Sequence, residues 1–512
     1  MSSSSSNNKR IAKNTIFLYI RTAIVLLVSL YTSRVVLRVL GVENLGIYNV
    51  VGGIVAMMGF FQSAQTKATS RFITYELGRK GDQATLRRVF SVCMTIHVLI
   101  ASIGLIIGET LGVWIITHWT SIPEGRLDAA MLVYQFALAV FCIQIIRVPY
   151  DSVIVAHEHM SMFAYLSVLE AVLQLGVVYA LMTISGDSLI YYSAFTAFVA
   201  LVIYLFYYLY VRLKFKAYRF EFVWDKDYSR RILSFSGWTL LGTGANTATQ
   251  QGVNLLMNNY VGLVANAALG LAGQVNNAVS RFVSGFSTAF TPQIIKLYAQ
   301  KDYAQLHVLM NRSSKFSFAL CYIFALPLMA NMGLILSLWL GNDVPMFTKE
   351  FCQLILACTI IDATTGVYNT AITATGKVKG YQLAISLSFL FDLVCSFVLL
   401  LCHVNPVYVF GSRIATRGFV NMFIGLYFIR KYVEFDVASY FRSVIIKIVI
   451  TLLITILPVY FIALVTEGWL RLIVTIIVSV ALVSLSTFCV LMTESERKTI
   501  MSQMFLRREV ER

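Results

Sequence analysis

The chain has 512 residues, of which 58% are hydrophobic and 13% charged, and its 41 Lys and Arg against 25 Asp and Glu give a formal charge of +16. With a mean hydropathy of +0.75 and apolar runs almost end to end, it does not read as a water-soluble globule. Nor does its basicity point to nucleic acid, because the cations lie in short stretches between apolar runs, where topology and anionic lipid account for them.

In chain order, MSSSSSNNKR opens a polar tail expected to be disordered and cytoplasmic over 1–13. The apolar segment behind it is too long for the core of a cleavable signal peptide. A spanning helix needs about 20 mostly apolar residues, and about 14 such runs follow, near 14–39, 46–70, 89–116, 128–156, 161–184, 188–211, 232–259, 267–291, 316–340, 350–375, 381–403, 407–428, 443–465 and 472–492. The fold class is therefore an all-α polytopic membrane protein. Its least marked breaks are at His157–Met160 and Ser185–Asp187. Residues 14–211 form a first set of six helices, 212–231 a basic cytoplasmic linker, 232–428 a second set of six, 429–492 two extra helices, and 493–512 a cytoplasmic tail. With the N-terminus inside, loops and tails on that side hold roughly 29 Lys and Arg and those outside about 3, which places both termini in the cytoplasm.

The eight cysteines fall in apolar runs without CxxC spacing and read as core residues. There is no GxxxxGK[ST] loop, so no ATPase is expected. His157 and His159 flank Glu158, and their i, i+2 spacing puts the rings on different sides of a helix, so an interfacial loop is expected rather than a zinc site. No loop exceeds about 24 residues, too short for a soluble catalytic domain. No cofactor and no enzyme activity are expected.

Ionisable groups inside spans are costly and usually face a bundle interior or a wet cavity. Arg34 and Arg38 lie one helical turn apart, as do Lys67 and Arg71, and Arg413 and Arg417, while Arg21, Arg147 and Arg281 stand singly. Arginine's planar fork suits phosphate oxygens better than an ammonium does, so a phosphate-bearing ligand is the natural expectation. Set against it, Lys67, Arg71 and Arg38 lie near span ends and have the reach to snorkel, and Arg147 has Asp151 one turn away. Amides add a second pattern. Asn246, Gln250, Asn254 and Asn258 fall on one face of the seventh span; Gln274 and Asn277 with Arg281 and Ser284 continue on the eighth; Asp362, Thr365, Asn369 and Thr373 align on the tenth. Such stripes either knit helices together or line a hydrated path, and knitting needs few amides at ~1 kcal/mol each. Among the intramembrane acids, Asp362, Asp392 and Glu170 are candidates to carry a coupling ion or to neutralise an arginine.

GVENLGIYN and ATSRFITYELGRKGD in the first half are echoed about 222 residues later by GLVANAALG and FTPQIIKLYAQKD, which suggests two repeats of six helices. SRVVLRVLGVENLGIYNVV, through Arg38, Leu40, Gly41, Gly46 and Tyr48, resembles the signature of the polysaccharide-biosynthesis (oligosaccharide flippase) branch of the multidrug/oligosaccharidyl-lipid/polysaccharide exporter superfamily. The resemblance implies two six-helix lobes around a central cavity plus two C-terminal helices. It also implies alternating access, and export of lipid-linked oligosaccharide across the bacterial inner membrane for O-antigen, capsule or exopolysaccharide. In related lipid II flippases, cavity arginines are thought to hold the diphosphate. That role carries over to Arg38, which Arg34 joins by geometry, with Arg21, Arg281 and the amides Asn246, Gln250, Asn254, Gln274 and Asn277 as further substrate contacts. Expected partners are the lipid-linked oligosaccharide, the phospholipid bilayer, and glycan polymerase or other polysaccharide-assembly proteins. The rival readings are a multidrug or cation antiporter of the same superfamily and a membrane glycan polymerase or ligase.

Overall fold

The computed structural model describes residues 2–56, 59–119, 122–340, 344–494 and 496–498, and among them it is helical without strands. The helices in chain order are α1 (Ser2–Ala56), α2 (Gly59–Gly78), α3 (Gln83–Ile107), α4 (Val113–Trp119), α5 (Leu127–Ala156), α6 (Met160–Leu181), α7 (Ser188–Lys214), α8 (Lys226–Tyr260) and α9 (Leu263–Ala299). They continue with α10 (Tyr303–Ala330), α11 (Met332–Leu340), α12 (Thr348–Thr375), α13 (Lys379–Leu401), α14 (Pro406–Arg413), α15 (Asn421–Val433), α16 (Val437–Tyr440), α17 (Ile446–Val465) and α18 (Gly468–Ser486). Short π-helical segments join α3 to α4 (Gly108–Gly112), α14 to α15 (Ile414–Val420) and α16 to α17 (Phe441–Ile445). Among the described residues the runs read as spans fall largely on helix, that near 316–340 being broken at Asn331 between α10 and α11. Among the described residues, nine helical stretches are long and apolar enough to cross a membrane. α8 and α9 are not among them, because their amides dilute the apolar character.

α1 runs back to Ser2 through the tail expected to be disordered. Extending an existing helix adds a hydrogen bond per residue without a new nucleus, so weak helix formers are carried along. α1 also contains a break. Gly41, at φ 76° and ψ 171°, ends one helix and starts the next with no loop, a conformation that glycine adopts at little cost. Gly262, at φ 106°, follows Val261 in the two-residue turn between α8 and α9. Further on, Lys80 (φ 55°) and Lys301 (φ 60°) take matching left-handed turns. Each precedes an aspartate N-cap: Asp82 accepts from the Thr85 amide and Asp302 from the Gln305 amide. The repeat seen faintly in the letters is thus also a repeat of turn geometry.

The chain forms two compact units. One comprises Met1–Gly244 with Thr288–Lys301; the other comprises Ala245–Ser287 with Asp302–Arg512. In the first, α5 packs against α2, α3 and α7, and α1 against α6. Ile47, Val51, Val133, Leu138, Phe141 and Ile145 belong to one apolar cluster of its core. The Tyr134 hydroxyl donates at 2.8 Å to the Gly108 carbonyl at the start of the π-helical segment. Arg126 clasps Asp187 and the Asn44 side chain, tying three connecting segments together.

In the second unit α10 packs against α12, α17 and α18, and α12 against α15. α17 and α18 are fastened to α10 by hydroxyls and an amide: Tyr322 to Thr455 at 2.8 Å, and Asn331 to Thr475 at 2.6 Å. Thr451, Thr455, Thr475 and Ser479 are all fully buried. Beyond α18, Thr493 and Glu496 form a capping box. Glu496 also receives Arg312 Nε at 2.7 Å and Lys315 Nζ at 3.3 Å from α10.

Candidate functional site

On α1, Arg34 and Arg38 lie one turn apart just before the Gly41 break, as the spacing requires. Arg38 is exposed and, among the described residues, has no ion pair; the Arg34 side chain lies outside those described. Arg21 is half-buried, with its guanidinium 5.0 Å from the centre of the Phe163 ring on α6. It belongs to the electrostatic surroundings of Tyr207, together with Arg147, Asp151 and Glu170. Arg147 pairs with Asp151 as its spacing suggested, Nε to Oδ2 at 3.5 Å. It also donates Nη1 to both oxygens of Glu170 at 3.3 Å and sits 5.3 Å from the Tyr207 ring centre. Two carboxylates therefore share one guanidinium, and Glu170 takes the role of neutralising an arginine.

Arg71 is buried, with its guanidinium 4.6 Å from both the Phe72 and Tyr75 rings, whereas Lys67 is exposed. Desolvated stacking of this kind is a strong form of cation–π contact.

In the second unit Asp392 is fully buried and accepts from Arg413 Nε at 3.1 Å and from Thr416 Oγ1 at 2.7 Å. Its other expected role, neutralising an arginine, is the one its surroundings supply. Asp362 is exposed on α12. Arg281 on α9 is exposed and, among the described residues, without an ion pair.

The amides behave less uniformly than their letters. On α8, Gln250 donates to Asn246 at 3.4 Å and Asn254 to Gln251 at 3.2 Å, bonds that run along the helix; the Asn258 side chain lies outside those described. On α9, Gln274 and Asn277 are exposed, and it is the neighbouring Asn276 that accepts from Thr359 of α12. Asn276 and Asn277 thus differ in helix phase, one turned toward α12 and the other exposed.

The turn between α5 and α6 contains a cluster that the sequence does not reveal. Glu158, in a left-handed conformation (φ 61°) and almost wholly buried, accepts from Gln293 Nε2 at 2.8 and 2.7 Å and from Lys296 Nζ at 2.7 Å. His157 and His159 reach the hydroxyls of Tyr218 and Tyr210 at 2.9 and 2.8 Å. Burial, with Lys296 and His159 adding to it, pushes the His157 imidazole down to about 4, so the ring is neutral near pH 7. Among the described residues no group of acids, histidines and cysteines is placed to hold a metal ion.

Comparison with known proteins follows the same lines. The profile of the family described as polysaccharide biosynthesis protein matches residues 11–298, and that of MatE matches 243–398. No curated protein matches the chain. Among solved structures, a MATE protein in the straight conformation superposes with a TM-score of 0.71 at 14% identity, covering 84% of this chain and 96% of that one. The outward-facing conformation of a multidrug resistance MATE family transporter of the MOP superfamily gives 0.69, also at 14% identity, with coverage of 84% and 96%. A MOP superfamily transporter from Pyrococcus furiosus, described as having a binding pocket of reverse polarity that suggests a different function, gives 0.66 at 15% identity, with coverage of 85% and 96%. At such identities the likeness is one of fold.

Proposed function

We propose, because this chain belongs to the polysaccharide biosynthesis protein family and is a multi-pass membrane transporter of the MOP superfamily rather than an enzyme, that it is a lipid-linked oligosaccharide flippase. Its substrate is a polyprenyl-diphosphate-linked glycan, moved across the bacterial inner membrane by alternating access for O-antigen, capsule or exopolysaccharide biosynthesis. Both termini lie in the cytoplasm.

The observation that carries this reading is the arginine pair on α1. Arg38 is exposed, and Arg34 precedes it by one turn on a helix that breaks at Gly41. A guanidinium without a carboxylate partner presents its full fork of donors, and a diphosphate offers the oxygens to fill it. The lipid tail remains in the bilayer while the sugars pass polar side chains. Arg21, Arg281 and the amides of α8 and α9 are assigned to that path, and the exposed Asp362 to ion coupling. A substrate that binds one conformation better than the other then shifts the populations that expose the site to each side. Replacing Arg34 and Arg38 together by Ala is expected to abolish surface glycan in a complementation assay at equal expression; unchanged glycan would refute the assignment.

A second reading, multidrug or cation export, is supported by the MatE match over 243–398 and the MATE folds. A cationic drug calls for acids and aromatic faces, whereas Glu170 and Asp392 are each taken up by an arginine. A drug-susceptibility panel with and without the protein separates the two.

A further inference from the structure

A half-open cavity of about 220 Å³ belongs to the first unit, bounded by the second half of α1, α2, α5 and α7. Its wall is mostly apolar, with Tyr48, Gln62, Gln144, Ser193 and Thr196 as its polar groups, and among the described residues it holds no Asp, Glu, Lys, Arg or His. This is the lining of a small neutral polar ligand. We propose that it is the subsite for one uncharged pyranose residue of the transported glycan; the inference rests on the flippase reading above.

Three observations converge on it. The first is unspent hydrogen bonding: among the described residues, the carboxamides of Gln62 and Gln144 make no hydrogen bond, although both line the cavity. A carboxamide offers a donor and an acceptor side by side, which matches two adjacent sugar hydroxyls. Tyr48 is held in place by Tyr192, whose ring packs edge-on to it at 5.0 Å. The Ser193 hydroxyl is already committed to the Leu189 carbonyl at 2.9 Å. The amides and Tyr48 are therefore the groups available for recognition, with Phe136 offering a face to the C–H side of a sugar ring.

The second is the glycines. Gly52 and Gly59 line the cavity in helical conformation, and a Cβ built on either meets nothing within 4 Å. Glycine inside a helix costs ~0.5–1 kcal/mol relative to alanine, and in membranes it commonly repays this by letting helices approach closely. Here no neighbour is close, so what the missing side chains preserve is open space.

The third is contrast. A larger cavity of about 430 Å³ in the second unit is lined by Phe324, Pro327, Leu328, Leu472 and similar side chains with no polar one among them. Hydrogen-bonding groups are thus a property of the first cavity rather than of cavities in this fold generally. The volume is below the ~300–1,000 Å³ of sites for drug-sized ligands, which fits one sugar ring. A charged sugar would bring a carboxylate into a wall with no cation, a costly desolvation, so the subsite accepts hexoses and N-acetylhexosamines and rejects uronates.

The test uses full-length protein in nanodiscs and three radiolabelled probes: bare polyprenyl diphosphate, and the same lipid bearing N-acetylglucosamine or glucuronate. Wild type is expected to bind the N-acetylglucosamine lipid about tenfold more tightly than the bare lipid, the worth of one to two hydrogen bonds, and to gain nothing from glucuronate. Gln62→Leu with Gln144→Leu, and separately Gly52→Leu, should erase that gain while binding of the bare lipid is unchanged, which also reports that each variant is folded. Gly52→Ala should keep the gain. Variants that retain the gain, or an equal gain from glucuronate, would overturn the subsite and leave the flippase reading standing. Failure of wild type to bind any of the three probes would overturn the flippase reading itself.

Discussion

Asp392 and Arg413 form the most completely buried ion pair among the described residues, with side-chain exposures of 0% and 8%. Their separation is 3.1 Å, with a further hydrogen bond from Thr416 at 2.7 Å. Replacing Asp392 by Leu leaves the guanidinium buried and uncompensated, a loss of roughly 3–5 kcal/mol. With both groups removed, in Asp392→Leu with Arg413→Met, the desolvation cost of both ions disappears as well, and buried pairs replaced in this way are often neutral or more stable. Melting curves of wild type, both single variants and the double variant in detergent form a thermodynamic cycle. Each single variant should melt well below wild type and the double variant close to it, so that the coupling equals the two single losses together, roughly 6–10 kcal/mol. The same four proteins in the transport assay separate a structural pair from an ion carrier, because the double variant should still transport. A double variant that is stable but inactive would show that Asp392 carries the coupling ion, and additive melting effects would refute the energetic argument.

Other consequences are equally specific. Glu496 is held below the ordinary glutamate range: burial raises it, but the Thr493 amide, Lys315 and Arg312 together outweigh that. Its contribution to docking of the segment after α18 is therefore complete above the usual carboxylate pKa and fades as pH falls through the lowered one. Limited proteolysis should find that segment protected at pH 7 and cut increasingly below pH ~4, and Glu496→Gln should remove the pH dependence. At Gly78 an added Cβ would lie 2.8 Å from both the Lys296 Cα and the Ala299 Cβ, so Gly78→Ala must push the end of α9 away and should cost about 1–3 kcal/mol by thermal melting. Arg38→Lys keeps the charge but loses the planar fork, so it should weaken binding of a polyprenyl diphosphate less than Arg38→Ala but clearly, by a few-fold.

The helices were legible because membrane spans announce themselves in composition: among the described residues the apolar runs are overwhelmingly helical. Even the indistinct breaks at His157–Met160 and Ser185–Asp187 separate α5 from α6 and α6 from α7. Gly41 was legible as a turn because few residues tolerate its φ of 76°. Partnerships were harder to read. Arg147 and Asp151 share a helix, so spacing alone joined them, but Glu170 and Asp392 meet their arginines across helices, and rotation about a helix axis is not encoded in periodicity when polar groups are sparse. The same holds for Glu158, which lies far from Gln293 and Lys296 in the chain. The neutral cavity is invisible for a related reason. Gln62 and Gln144 lie on different helices, and amides drawn from separate helices leave no stripe along the chain to notice. The π-helical segment at Ile414–Val420 shifts the phase of all that follows it, something an ideal 3.6-residue period does not anticipate.

The account rests on recognition of a lipid-borne diphosphate by arginine, and reconstituted transport tests it most directly. Proteoliposomes loaded with a polyprenyl-diphosphate-linked glycan labelled on the sugar should expose that label to the opposite leaflet when they contain wild-type protein. Those containing the Arg34→Ala, Arg38→Ala double variant should do no more than protein-free liposomes. Equal rates for wild type and the double variant, or movement of a cationic drug in place of the glycan, would contradict it.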